Sequence, residues 1–174
     1  MNRAMTLRVF LAGLALFLAL GSAAGADSCD GLTVRLIRGT GAALAGRSGS
    51  LVVFRAADAD RMSLDCAAPR RLLFRSDLRQ PPRAFFVLIG LAARTLTGAK
   101  AEAVETLALR LHQDSLLTGA PQLGEVGGAV LRCDPGDRPD GFGVGSLCRL
   151  AADRPGRSRS RSRSSGLSRA AGPG

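Results

Sequence analysis

The sequence has no tryptophan, no tyrosine and one histidine, His112, and every basic residue except Lys100 is an arginine. Each scarcity removes a class of function. With seven Phe as the only aromatic residues, the chain has little surface on which bases could stack, so specific nucleic-acid binding is not expected. One histidine cannot build a histidine metal cluster within a single chain, and any histidine-dependent catalysis would have to use His112. The Gly-x-Ser-x-Gly elbow of serine lipases is missing, and no apolar run reaches the length of a membrane-spanning helix.

The longest apolar run, Val9 to Leu20, follows Arg3 and Arg8 and precedes Ala24-Gly25-Ala26. That order reads as a cleavable export signal over residues 1–26, with the mature chain starting at Asp27 in the periplasm or outside the cell. Small residues, not a basic flank, follow the run, which argues against an anchor. Asp27 in Ala26-Asp27-Ser28 argues against lipidation of Cys29, and the absence of paired arginines points to the general secretory route. Cys29, Cys66, Cys133 and Cys148 all lie beyond the cut, so two disulfides are expected in an oxidising compartment. Three pairings are open. Cys29 with Cys66 and Cys133 with Cys148 is favoured, because each pair brackets a stretch able to fold back on itself.

The formal charge of +10 is unevenly spread. Residues 27–153 hold sixteen basic and fourteen acidic side chains, a balance of +2, whereas six arginines and no acids lie between Arg154 and Gly174. The excess that would suggest a nucleic-acid binder therefore sits mainly in the last segment. Residues 27–153 are long enough for one disulfide-stabilised domain. Residues 154–174 lack apolar periodicity and are expected to form a disordered tail. Within it, Arg157 to Ser164 resembles the arginine-serine tails of eukaryotic splicing factors, a resemblance confined to that stretch. The tail's chemistry suggests weak contact with anionic lipid or polysaccharide.

Along the domain, Leu32, Val34 and Leu36 alternate with Thr33 and Arg35, which predicts a strand over 32–38. Gly39 to Gly49 reads as a flexible loop. Leu51–Arg55 and Met62–Cys66 read as the arms of a hairpin, with Met62, Leu64 and Cys66 turned inward, and Leu72–Arg75 as a further strand. Pro81-Pro82 opens a helix carrying Phe85, Leu88, Ile89, Ala92 and Leu96, and Gly98 stops it. A second helix over 99–117 presents Val104, Leu107, Ala108 and Leu111 on one side. Strands are expected at Ala129–Cys133 and Gly145–Leu150, around a turn-rich Asp134–Gly141. This order predicts an α+β fold: a small, mainly antiparallel sheet with two helices packed on one face.

Three local patterns touch known chemistry. Gly41 to Ser48 has the spacing of a phosphate-binding loop, but Arg47 stands where lysine belongs, and Gly39-Thr40-Gly41 lacks the third glycine of a dinucleotide loop. Both are taken as surface loop. Asp134, Asp137 and Asp140 recur every three residues, unlike the spacing of common calcium loops, and are taken as turn formers. His112, one position beyond Leu111, is placed at the surface or boundary. No catalytic, cofactor or metal residues are assigned, and no cofactor is expected. The resulting expectation is an exported, non-enzymatic binding or accessory module of the bacterial envelope. The alternatives are a periplasmic hydrolase with a site invisible in sequence, and an envelope protein retained through its basic tail.

Overall fold

The computed structural model describes residues 28–137 and 144–153; the expected signal and tail, and Asp140, lie outside the described residues. The first element corrects the sequence reading. Cys29–Thr40 is a helix, α1, not a strand. Ser28 caps it by accepting a hydrogen bond from Gly31 N–H at 3.0 Å, and Gly41 ends it with φ of 72°, a left-handed conformation that glycine adopts without penalty. Leu32 and Leu36, four apart, are buried on one helical face, whereas Val34 is 45% exposed. Spacings of two and four share those two leucines, so alternation alone could not separate strand from helix.

The chain then enters a four-stranded meander of β1 (Ala43–Ser48), β2 (Leu51–Ala56), β3 (Ala59–Asp65) and β4 (Arg71–Ser76). The expected hairpin is β2–β3, with Met62 and Leu64 fully buried and Cys66 half-buried against the core. After α2 (Arg83–Thr97) and α3 (Ala101–Thr118), β5 (Gln122–Val126), β6 (Ala129–Asp137) and β7 (Val144–Ala152) form a second meander. The sheet order is β1-β2-β3-β4-β7-β6-β5, antiparallel throughout. The fold is α+β, with three described helices where two were expected.

Register assigns the two faces. Val52, Leu64, Leu72, Leu150, Leu131 and Gly124 form one inward row, and Phe54, Met62, Phe74, Cys148, Cys133 and Gln122 form the next. Against this side α3 packs on β5, β6 and β7, α2 touches β7, and α1 lies on α2. Phe85, Phe86, Ile89, Val104 and Ala108 complete the core from the helical layer. Helices α2 and α3 approach closely because position 90 is glycine: a Cβ there would sit 2.5 Å from the Ala101 carbonyl oxygen. An ion pair from Arg83 Nε to Glu105 Oε1, at 2.7 Å, joins their outer sides.

The disulfides are Cys29–Cys66 and Cys133–Cys148. The first ties α1 to the end of β3, and the second joins residues directly opposed in the β6–β7 register, with Cα atoms 4.1 Å apart. An ion pair between Arg47 and Asp30 also connects β1 to α1.

Two outcomes follow. Gly90→Ala should destabilise the protein by about 1–3 kcal/mol in denaturant titration, because the methyl group meets backbone and not a movable side chain; an unchanged midpoint would contradict the close approach of α2 to α3. Replacing Cys29 and Cys66 by serine should cost about 2–5 kcal/mol while leaving the Cys133–Cys148 bond intact by thiol counting.

Candidate functional site

The sequence motifs are resolved by their surroundings. Residues 41–48 run from the end of α1 into β1, and a strand follows them, so there is no helix N-terminus to hold phosphate; Arg47 is paired with Asp30. Gly39-Thr40-Gly41 ends a helix and does not follow a strand. Asp134, expected in a turn, lies within β6 and is buried, with its carboxylate held by two arginines. Among the described residues no cluster of His, Cys, Asp and Glu could hold a metal ion.

His112 is also corrected: it is 4% exposed, not a surface residue. It points from α3 towards the β4–α2 connection, with its ring 5.4 Å from that of Phe86. Burial lowers its pKa from the ordinary 6.5, and a hydrogen bond to the backbone of Arg79 partly opposes that shift. Around it, Ser115 Oγ donates to His112 O at 2.7 Å, and Ser146 Oγ donates to Leu78 O at 3.0 Å. Leu78 N–H donates to Ser76 Oγ at 3.2 Å. Ser76 and Ser146 thereby satisfy backbone atoms of the connection as it turns under the helices, whereas Ser115 satisfies a carbonyl of α3 itself. Since the hydroxyl of Ser146 is directed at carbonyl oxygens, it is not poised as a nucleophile beside an accepting imidazole.

The remaining chemistry lies on the other face of the sheet. Its central row reads Val53, Ser63, Leu73, Arg149, Arg132 and Leu123 from β2 to β5, and the flanking row reads Leu51, Asp65, Arg71, Ala151, Val130 and Glu125. Arg61 and Arg75 face each other on a third row. These arginines occupy outward strand positions beside inward apolar residues, as Arg71 precedes Leu72 and Arg149 separates Cys148 from Leu150. All three described helices lie on the opposite side.

Arg132 and Arg149 are directly opposed like charges, an arrangement that destabilises a strand pair unless an anion intervenes. Asp134 supplies it. Its Oδ1 accepts from Arg132 Nε at 2.8 Å and its Oδ2 accepts from Arg149, while its side chain is only 11% exposed. The Arg132 and Arg149 side chains remain 50% and 42% exposed, and each guanidinium carries more N–H donors than the one that Asp134 engages. With Arg71 they border a depression of about 230 Å3 whose lining also takes in Val130, Leu150 and Ala151. Asp65, opposite Arg71, has its pKa lowered first by the Ala67 N–H and further by the Ser50 side chain and the charge of Arg71. A second depression, of about 320 Å3, lies by the β2–β3 turn and contains Asp58 and Asp60. Asp60 already accepts a hydrogen bond from Asp77 N–H at 2.7 Å.

The sequence reading missed the arginine cluster. Alternation could turn each arginine outward, but the three strands become neighbours only through the β4–β7 pairing.

No family model, no curated protein and no solved structure matches the chain.

Asp134→Asn should lower stability by about 1–2 kcal/mol, by removing the charge between two opposed arginines. The loss should shrink in added salt, which screens the exposed guanidinium groups. Because the folded state holds His112 neutral below its ordinary pKa, its contribution is present above pH 6.5 and is lost as the pH falls through the lowered folded value. Thermal unfolding measured against pH should show this decline, and His112→Gln should flatten it; an equal slope in the variant would exclude His112 as its source.

Proposed function

We propose that this protein is an exported, non-enzymatic binding module of the bacterial envelope, with a single domain over residues 27–153 that recognises its partner through the face of the sheet on which no described helix packs. One observation carries this reading. Exposed arginines and aliphatic side chains share the face opposite the helices, around Arg71, Arg132 and Arg149, whereas His112, Ser115 and Ser146 are buried and engaged with backbone. Arginine beside aliphatic surface is the composition that protein recognition surfaces favour, because guanidinium groups bind oxyanions in a fixed geometry while their stems pack on apolar neighbours. Two disulfides agree with an oxidising compartment. No described helix is long and apolar enough to cross a membrane.

The test combines processing with surface mapping. Intact mass of exported material should place the N-terminus at or near Asp27, and a retained Met1 would overturn the export reading. A photo-crosslinking residue at Leu73, on the open face, should give adducts in the envelope, whereas one at Arg94, on α2, should not. Adducts confined to the Arg94 position would place recognition on the helical side and refute the assignment.

A further inference from the structure

We infer that the open face docks on an anionic lipid surface, with Arg71, Arg132 and Arg149 receiving headgroup phosphates and Leu123 entering the boundary beside them. This rests on the reading of that face as the binding surface and names its partner.

Three observations converge on the half of the sheet from β4 to the β5 edge. The first is the guanidinium cluster itself. Arg132 and Arg149 are pre-oriented by a shared carboxylate yet about half exposed, so their free edges face outward without the cost of ordering two long side chains at the moment of contact. The second is the apolar side chain in the same row: Leu123 is directly opposite Arg132 and is 69% exposed. Val130 and Ala151 lie on the adjacent row, level with Arg71. Phosphate-binding donors next to an exposed leucine and the half-buried Val130 and Ala151 match the bilayer interface, where headgroups lie directly above the acyl chains. A soluble acidic polysaccharide would satisfy the arginines and leave Leu123 in water.

The third observation is where the remaining charge is attached. Strand β7 carries Arg149 and Ala151, and Asp153 is held by a hydrogen bond from its N–H to Gly128 O at 2.8 Å. The next residue is Arg154, the first of six arginines in residues 154–174. In sequence the basic excess therefore follows directly on β7, the strand that contributes Arg149, and begins three residues after Ala151. Each basic residue close to an anionic leaflet adds attraction, and the attraction decays over a Debye length, so charges attached near one contact reinforce it.

The experiment uses the oxidised chain from Asp27 to Gly174, which holds every described element, with phosphatidylcholine vesicles either pure or containing a one-third share of phosphatidylglycerol. Co-sedimentation should show binding to the anionic vesicles only, weakening with salt. Arg71→Gln should reduce the partition about fivefold, and Leu123→Ser should reduce it about threefold. Both positions are exposed, and thermal unfolding would confirm that both variants fold. Arg94→Gln removes the same charge from the helical side and should have a much smaller effect; equal losses from Arg71→Gln and Arg94→Gln would overturn the proposal in favour of undirected net charge. Dextran sulfate provides a polyanion without an apolar layer. Its binding should be insensitive to Leu123→Ser, and if vesicle binding is equally insensitive, the face is a polyanion site and the lipid assignment fails. An absence of vesicle binding, with envelope adducts still formed at position 73, would overturn the lipid partner and leave the recognition surface standing.

Discussion

The pairing of β4 with β7 is the constraint on which the rest of the molecule depends. It is the lateral joint between two meanders, one formed before the helical pair and one after it. Phe74 sits opposite Cys148 and Leu72 opposite Leu150, so the joint also carries the centre of the core. Closing it requires the chain to bring together residues about seventy-five positions apart in sequence, an entropic demand that a short hairpin does not make. The helices meet part of that demand: α2 and α3 fold as neighbours after β4, and α3 supplies the apolar side against which β5, β6 and β7 assemble. The Cys133–Cys148 bond fixes the register of the strand beside the joint.

The same joint separates the molecule's buried polar groups from its exposed charges. On the inward side, Ser76 and Ser146 are register partners, and their hydroxyls satisfy the backbone of the connection that leads into α2. His112 joins them from α3, and a neutral imidazole suits that environment because it needs no counter-charge. On the outward side, the joint places Arg71 of β4 next to Ala151 of β7 and brings Arg149 alongside. A surface of exposed charges and a buried layer of polar groups thus lie on opposite sides of the same few residues.

The errors in the sequence reading have specific causes. Leu32 to Leu36 fit both periods, and the decisive signals were Ser28 before the segment and Gly41 after it, which together bracket a helix. Strand β5 was missed because Gly124 interrupts its inward positions, and the structure explains the glycine: a Cβ there would lie 2.9 Å from Leu107 Cδ1 on α3. Asp134, like Asp137, was read as a turn former, although both belong to β6. The neutralising partner of Asp134, Arg149, is fifteen residues away and on another strand, beyond the reach of local pattern.

What the sequence determined by itself is the local and the compositional: the helical pair after Pro82 and the β2–β3 hairpin. Those features depend on side-chain period, turn chemistry and loops that close over short distances, all of which are written in neighbouring residues. The tertiary structure alone decided that α1 docks on α2, which of the three cysteine pairings forms, that His112 is interior and that three arginines from separate strands form one cluster. Such outcomes depend on which surfaces meet, and a β-strand's partners are selected by the burial of a whole face, not by its own residues.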